Sequence, residues 1–338
     1  MTTLTIDADG HVRDTDEDIR AFLKPPYNER PRLGAGSPRD GFDNTLGNRA
    51  GTRFVDISVW INSLEQGELD FSVLYPTGSL GSGWIREADF AEARASAYND
   101  WLYHSYLNID ARFKGVAMLP VQNPDSAAKE LERCVHDLGM VGGMLPEGPY
   151  LYGDKKFHPI FSTAQKLNVP LAVHAGGRLT GSYDEFLFDN LAQVHSLGHA
   201  FFQMKQFVSL MLSGVPEIFP NLKLAFLEAG CGWVSYMLDR MDERYRIRGH
   251  VDAPLLTKEP SEYLKSRNIY ISCEAEERLL PATLGIIGED IIVFASDFPH
   301  WDTEFPANIR HLRNRNDLSS TQKEKILGLN AKRLYGLK

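Results

Sequence analysis

Cysteine is scarce in this sequence of 338 residues. The three that occur, Cys134, Cys231 and Cys273, are widely spaced, and no CxxC or CxxH pair is present. This spacing argues against a zinc–thiolate site, and an odd number of distant cysteines argues against a disulfide scaffold. We therefore expect a reduced, cytoplasmic protein.

Long apolar runs and an excess of positive charge are also missing. No apolar run reaches the roughly 18–20 residues of a membrane span, and Met1–Asp7 lacks the basic-then-apolar pattern of a secretory signal. The 45 acidic residues outnumber the 36 basic ones, giving a formal net charge of −9. We therefore expect neither a membrane nor a nucleic acid as partner, since the latter usually requires a basic face.

What the sequence does contain is a series of eight short apolar runs, each followed by a polar or glycine cluster. Because the runs are apolar on both faces, they predict buried parallel strands. The predicted strands are Leu4–Ile6, Phe71–Tyr75, Gly115–Leu119, Val141–Leu145, Leu171–His174, Leu222–Leu227, Ile269–Ser272 and Ile291–Ala295.

Amphipathic stretches of helical period lie between these runs. We predict helices over Ala88–Leu107, Ser126–Leu138, Phe157–Leu167, Gly232–Tyr245 and Ser319–Leu334. Repeated alternation of strand and helix predicts an α/β fold, namely a (β/α)8 TIM barrel. An open, doubly wound sheet is the alternative.

Two segments make this chain longer than a minimal barrel, which has roughly 250 residues. One covers about residues 19–65, after the first strand, and is rich in Pro, Gly, Arg and Asn; the other covers residues 178–213, after the fifth strand. Long segments of this kind are usually functional or contact another subunit. We therefore predict one barrel domain over residues 1–338, with these two insertions over the active rim.

Acidic residues and histidines follow five of the eight predicted strands. The carboxyl ends of barrel strands share one rim, so these side chains are expected to meet. Alternation in an extended first strand would place Asp7, Asp9 and His11 on one side. Taken singly, each such residue is also a common helix cap or core residue, but their combination favours a site for divalent Zn, Mn or Fe. The predicted ligands leave room for water or substrate and are Asp9, His11, His174 and Asp297.

The strand order and the motifs at the strand ends resemble the amidohydrolase superfamily. The likeness is to its amidohydrolase-related branch, which includes aminocarboxymuconate-semialdehyde decarboxylase and the resorcylate-type decarboxylases. It covers nearly the whole chain and implies a metal-dependent barrel enzyme, often oligomeric. It is carried by residues 6–11 (IDADGH), 173–177 (VHAGG), 226–230 (FLEAG), 295–300 (ASDFPH) and 325–336.

Two positions depart from the family pattern. The His-x-His of the first strand reads Asp9-Gly10-His11 here, which favours a harder ion such as Mn²⁺. After the sixth strand, where many members have a histidine, this chain has Glu228. Either Glu228 acts as an acid or base there, or a histidine replaces the missing imidazole. His195 and His199 share one face if their segment is helical, and His199 is favoured because Ala200-Phe201-Phe202 would bury its flank.

These residues lead to three hypotheses about function. The first is nonoxidative decarboxylation of an aromatic or unsaturated carboxylic acid, in which Asp297, Glu228 or His199 serves as acid or base. The second is hydrolysis of an amide, ester or C–C bond by a metal-activated water. The third is a barrel that only binds or assembles. In the first two, one divalent ion, Zn or Mn with Fe as a further option, is nearly neutralised by two carboxylates and favours a small anionic chelating substrate.

Four side chains are candidate contacts for the substrate. Arg178 would pair with a carboxylate, while Tyr75 and Trp84 would floor an aromatic pocket, and Trp301 is a similar candidate. For each of them an ordinary surface or packing role is the alternative. We also expect a homo-oligomer, because the resemblance implies one.

Overall fold

Eight parallel strands form the centre of the computed structural model, which describes residues 4–31, 33, 55–175, 191–300 and 302–338. They hydrogen-bond in sequential order as one sheet. Strand β1 extends well beyond its predicted end at Ile6, and the other seven overlap their predicted ranges. The strands are β1 Ile6–Val12, β2 Phe71–Pro76, β3 Phe113–Met118, β4 Gly142–Leu145, β5 Leu171–Val173, β6 Leu224–Phe226, β7 Ile269–Cys273 and β8 Ile292–Phe294.

The two ends of this sheet meet. The backbone N–H of Asp297 donates to the carbonyl of Asp9 at 2.9 Å, and the N–H of His11 donates to the carbonyl of Phe298 at 2.7 Å. These bonds join the carboxyl half of β1 to the segment after β8, so the sheet curls into a nearly closed barrel. The predicted (β/α)8 barrel is confirmed, and the open-sheet alternative is wrong.

Helices connect the strands. All five predicted helices are present, the first and last of them continued by or containing a π-helical stretch (Tyr103–Leu107 and Lys325–Leu329). The helices are α1 Asp16–Phe22, α2 Ile57–Gly67, α3 Ala88–Leu102, α4 Pro124–Asp137, α5 His158–Leu167, α6 Leu191–Leu212, α7 Val215–Ile218, α8 Gly232–Asp252, α9 Leu280–Ile287, α10 Ala307–Asn314, α11 Ser320–Glu324 and α12 Asn330–Tyr335. Short 3₁₀ turns occur at Tyr27–Glu29, Ser82–Trp84, Lys155–Phe157 and Pro260–Ser266.

Several helices lie in the segments predicted as insertions. Helices α1 and α2 fall between β1 and β2, and α6 belongs to the connection from β5 to β6. Since residues 34–54 and 176–190 lie outside the described part of the chain, the limits of the two insertions stay a prediction. Within the described residues, no helix is both long and apolar enough to cross a bilayer.

One side chain from helix α2 anchors the strand that carries the candidate site. Trp60 is fully buried, with its ring edge-on to Phe113 at 5.9 Å and to Phe298 at 4.9 Å between centroids. Its indole N–H donates to the carbonyl of His11 at 3.0 Å. Burial of such a ring stabilises the fold by about 1.5–3 kcal/mol, and the hydrogen bond fixes the end of β1 at the barrel mouth.

Candidate metal centre and cavity

An irregularity in β1 decides which of its side chains reach the site. The pairing of β1 with β2 shifts between Asp7 and Gly10. Asp7 accepts hydrogen bonds from the hydroxyls of Ser72 and Ser296, both at 2.8 Å, and a Cβ placed on Gly10 would lie 2.6 Å from Asp7 Oδ2. Asp7 and Gly10 therefore face the same way, and only glycine fits there. The expectation that Asp7 shares a side with Asp9 and His11 is wrong, because the bulge interrupts the alternation.

Asp9 and His11 instead converge with His174, which directly follows β5, and with Asp297, which follows β8. Asp9 Oδ1 lies 3.4 Å from His11 Nε2 and 3.2 Å from His174 Nε2. Asp297 Oδ1 lies 3.3 Å from His11 Nε2. Asp9, His11 and His174 are completely buried. The four residues predicted as metal ligands are thus brought together at the carboxyl ends of three strands.

The protonation of the two imidazoles follows from their outer nitrogens. His11 Nδ1 lies 2.8 Å from the carbonyl of Pro76, and His174 Nδ1 lies 2.7 Å from the carbonyl of Ala175. A carbonyl only accepts, so each Nδ1 carries a proton, and each Nε2 faces Asp9, where it can act as a metal ligand once it carries no proton. Two buried atoms of the cluster, His11 Nε2 and the second carboxylate oxygen of Asp9 (Oδ2), have no hydrogen-bond partner in the described structure.

A divalent cation fits this arrangement of acceptors. Ligand atoms about 2.1 Å from an ion are themselves about 3–3.5 Å apart, which is the spacing in the pairs Asp9–His11, Asp9–His174 and His11–Asp297. A proton on His11 competes with a cation for this position. Burial alone would lower the pKa of His11, but the carboxylates of Asp297 and Asp9 outweigh burial and hold that pKa well above its usual value. A bound cation would take the place of this proton.

Asp297 is held in a fixed orientation beside the cluster. Its backbone adopts a left-handed conformation, with φ of 53°, and its Oδ1 accepts a hydrogen bond of 2.7 Å from His300 Nδ1. His300 Nε2 in turn lies 3.2 Å from the hydroxyl of Thr77. Although burial raises the pKa of Asp297, the nearby His300 and His11 outweigh it and keep that pKa far below its usual range.

Glu228 and His199, which the sequence offered as alternatives for the missing imidazole, lie against each other. His199 is on α6, so its segment is helical, and its Nε2 lies 3.4 Å from Glu228 Oε1. Glu228 Oε2 lies 3.5 Å from His174 Nδ1 and has no hydrogen-bond partner in the part of the chain described. Burial, reinforced by Asp297, raises the pKa of Glu228 well above its usual value, and burial lowers the pKa of His199 to about 3.

A cavity of about 510 Å³ opens above these residues, with Glu228, Asp297 and His199 among its lining. His195 lies farther along its wall, with its ring 4.8 Å from that of His199 and its Nε2 3.7 Å from Asp302 Oδ2. The cavity therefore gives a small molecule access to Asp297, which touches His11 of the buried cluster.

The predicted substrate contacts lie elsewhere or outside the described residues. Tyr75 is completely buried beneath the cluster, with its ring 5.3 Å from that of His174 and its hydroxyl 2.8 Å from the hydroxyl of Tyr335. Neither Tyr75 nor Trp84, which ends a 3₁₀ turn after β2, lines the cavity. Arg178 and Trp301 lie outside the described residues.

Several residues at the site were not singled out by the sequence. Thr77 directly follows β2, and Asp302 and Glu304 follow the histidine of the β8 motif. Continuing each strand-end motif by a few residues would have found all three, because polar residues after barrel strands share the active rim.

Comparison with known proteins places these observations in context. The amidohydrolase family model matches residues 77–337. A gamma-resorcylate decarboxylase from Polaromonas sp. is 30% identical over 270 residues, which cover 75% of this chain and 79% of that protein. The 2-amino-3-carboxymuconate-6-semialdehyde decarboxylase of Dictyostelium discoideum is 26% identical over 297 residues, 84% of this chain and 79% of that protein.

The fold is shared with solved structures. A dihydroxybenzoic acid decarboxylase from Polaromonas sp., with bound manganese and the inhibitor 2-nitroresorcinol, superposes with a TM-score of 0.76. It is 22% identical, and the match covers 99% of this chain and 98% of that one. Asp9 and His11 precede the residues matched by the family model, so their assignment to the cluster rests on the geometry described above.

Proposed function

Because this chain belongs to the amidohydrolase family, we propose that it is a metal-dependent nonoxidative decarboxylase of an aromatic or unsaturated carboxylic acid. The observation that carries the proposal is the convergence of Asp9, His11 and His174 beside Asp297, at a cavity large enough for a small ring. Within this cluster Asp9 Oδ2 and His11 Nε2 are buried and have no hydrogen-bond partner in the described structure. The decarboxylase activity of the relatives supports the choice of reaction.

Asp9, His11 and His174 would hold the metal ion, and Asp297 would complete the set or act beside it. When bound, the ion would supply a positive centre that holds a substrate carboxylate together with a neighbouring oxygen. Two carboxylates in the set favour a hard ion such as Mn²⁺, with Zn²⁺ as the alternative. The carbonyls of Pro76 and Ala175 fix the two imidazoles with Nε2 toward the ion.

The proposed reaction needs an acid at the carbon that loses CO₂. The bond between that carbon and the carboxylate breaks, its electron pair stays on the carbon, and a proton forms the new C–H bond. Asp297 is ionised in the resting site, because its pKa is held far below its usual range. It would therefore first take up a proton from solvent in the cavity and then deliver it from Oδ2, because Oδ1 is taken by His300. His300 is a positioning residue that keeps Asp297 aimed at the cavity.

Glu228 and His199 would form a neutral pair beside the substrate. The raised pKa of Glu228 and the lowered pKa of His199 mean that neither is charged near neutral pH. An uncharged pair does not repel an anionic substrate and can still exchange hydrogen bonds with it. We propose that this pair orients the ring and limits the access of water.

The test is CO₂ release by the protein loaded with Mn²⁺ or Zn²⁺, measured on hydroxybenzoates and on muconate-type acids. We expect turnover of at least one member and none by the protein stripped with a chelator. A metal-loaded protein that releases no CO₂ from any of them would overturn the proposal. The assay should be repeated with fresh enzyme in ¹⁸O-labelled water and with ester substrates.

Hydrolysis is the second candidate, because the open cavity leaves room for water beside the cluster. It would appear as turnover of esters or vinylogous diketones, with ¹⁸O entering the product. A protein that binds no metal and turns over neither class would instead be a binding or assembly barrel. We further propose that residues 1–338 form one domain that self-associates and works in the cytoplasm.

A further inference from the structure

Helix α8 turns three large apolar side chains toward solvent. Tyr236, Ile247 and Val251 are 62%, 58% and 59% exposed, respectively. The apolar side chains of a surface helix normally face the core, and a single exposed one needs no explanation. These three, however, are spaced by eleven and four positions along the helix, which places them on one side of it. They therefore form an apolar stripe that faces away from the barrel.

Charged side chains complete this stripe. Three further exposed residues lie between Tyr236 and Val251 within the same sector of the helix, which is roughly 100° wide. None of them lines the cavity, so this surface is separate from the candidate metal centre. We call the whole set the α8 stripe, and its members are Tyr236, Arg240, Glu243, Arg244, Ile247 and Val251.

The order of side chains along the α8 stripe is complementary to its own reverse. When two copies of a helix pack antiparallel about a two-fold axis, each residue before the axis meets the residue at the same distance after it. With the axis between Glu243 and Arg244, each of these two faces the other in the second copy. Tyr236 then faces Val251 of the second copy, so that an apolar pair lies at either end of the stripe.

The same axis also matches the charges at the edges of the stripe. Asp239 and Arg248 are both exposed, and they lie on opposite sides of the stripe at equal distances from the axis. The two-fold rotation brings Asp239 of one copy beside Arg248 of the other. Arg240 meets Ile247, which its aliphatic stem can cover. No opposed pair in this arrangement brings like charges together.

Some of these charges already pair within their own helix. Glu243 Oε2 lies 3.3 Å from Arg240 Nη1 and 3.8 Å from Arg244 Nη2, and Arg248 pairs with Asp252. Exposed pairs of this kind contribute little to stability, so their exchange for pairs with a second copy costs little. A solvated charged face is the ordinary alternative, but it does not account for the apolar members of the stripe, whose burial would drive association.

Apolar residues continue this surface beyond both ends of α8. Leu279 is 59% exposed and lies at the start of the helix, where a Cβ placed on Gly232 would be 2.7 Å from its Cδ1. Leu255, which is 44% exposed, follows the end of the helix. Antiparallel packing brings the start of one helix beside the end of the other, so Leu279 and Leu255 would enlarge the apolar contact.

We propose that two copies of this chain associate through their α8 stripes, with the helices antiparallel about a two-fold axis between Glu243 and Arg244. A second copy is the partner that this surface fits, because its charges and apolar residues match those of the same surface reversed. The inference rests on the proposed function only in naming the surface for the self-association proposed there. It does not depend on the reaction.

The molar mass in solution tests the association. It is measured by light scattering and by sedimentation of the metal-loaded full chain over a range of concentrations. We expect a dimer, and we expect Glu243→Arg or Arg244→Glu to raise its dissociation constant about tenfold, because each places like charges at two symmetric contacts. The double substitution exchanges the two charges and should restore the dissociation constant to within about threefold of the wild type.

Two results of this measurement would overturn the proposal. One is a wild type that stays monomeric at every concentration, which would leave the α8 stripe to a partner of another kind. The other is an association that neither single substitution weakens, which would place the contact on another surface.

Arg246→Glu is the matched control for these substitutions. It makes the same change of charge on the same helix, but Arg246 lies outside the α8 stripe and pairs with Glu259. We expect it to change the dissociation constant by less than about twofold. An effect equal to that of Arg244→Glu would show that the general charge of the helix matters and that the specific contact does not exist.

Cross-linking tests the register of the two helices. Tyr236→Cys and Val251→Cys are prepared as separate proteins, and the three native cysteines are buried. A short bismaleimide should link the two proteins when they are mixed. It should link neither protein to itself, since equal positions would lie about 22 Å apart along the antiparallel helices. Links within each protein and none in the mixture would refute the antiparallel arrangement.

Failure of this inference is distinguishable from failure of the proposed function, because CO₂ release is measured on the same preparations. A monomer that releases CO₂ would refute the contact and leave the decarboxylase assignment standing. A dimer with the expected register that releases no CO₂ from any acid would refute the reaction and leave the contact intact.

Discussion

The buried cluster predicts a sizeable effect of metal ions on stability. Asp9, His11 and His174 hold a carboxylate and two imidazole nitrogens within 3.2–3.4 Å of one another across the Asp9–His174 and Asp9–His11 pairs, and the unfolded chain has no such arrangement. An ion that binds only the folded state at 100 times its Kd stabilises that state by about 2.7 kcal/mol. With an unfolding entropy of about 2.1 cal/mol/K per residue, the 338 residues give a rise in Tm of about 4 °C.

Removal of one ligand should abolish most of this rise. If His174→Ala weakens binding about 100-fold, the same metal concentration equals its Kd and stabilises by only about 0.4 kcal/mol. The Tm would then rise by less than about 1 °C. Thermal unfolding of chelator-treated protein, with and without Mn²⁺ or Zn²⁺, measures both shifts, and mass spectrometry measures the bound metal.

Tyr75→Phe is the matched control for this experiment. It changes the ring beneath His174 by one hydroxyl, which contacts Tyr335 and no member of the cluster. We expect the Tm of this variant without metal to be lower than that of the wild type. The rise in Tm on adding metal should equal that of the wild type. The reasoning is refuted if the wild type shows no shift with either ion, or if His174→Ala keeps the full shift.

Two further predictions follow from contacts of the same site and of the strand that carries it. Asp297→Asn removes the proposed proton donor and should lower kcat for CO₂ release by about 10²–10⁴-fold while circular dichroism shows an unchanged fold; substantial residual turnover would refute the role. Trp60→Ala removes a fully buried ring and should destabilise the protein by about 3–5 kcal/mol in urea unfolding, whereas Trp60→Phe should cost clearly less.

Much of the fold could be predicted because its signals are local. Strand β5 and its neighbours are apolar on both faces, and α4 begins where Asn123 accepts a hydrogen bond from the N–H of Ser126 and Pro124 occupies the first turn. Helices α6 and α9 carry apolar residues around much of their circumference, so their period gives little contrast. The sequence pattern therefore predicted neither helix.

The sequence predicted which residues meet at the site but not how they are arranged. Residues at the carboxyl ends of barrel strands share one rim, so Asp9, His11, His174 and Asp297 could be predicted to lie together. The bulge that turns Asp7 away depends on Ser72, Ser296 and Trp60, all distant in sequence. Likewise, nothing local shows that Tyr75 is covered by the core or that Glu228 meets His199 across two elements.

The carboxylate at position 9 determines how a substrate must bind. A histidine there would leave the ion with a net positive charge that draws anions from a distance. With Asp9 and Asp297, the charges of a bound ion and its ligands would nearly cancel, and the carboxyl groups that line the cavity would make the approach less favourable for anions. The proposed carboxylate substrate would therefore be held by direct ligation at the cluster and by hydrogen bonds in the cavity. Such short-range contacts discriminate by geometry, because each is lost when a donor is missing or a second charge is added.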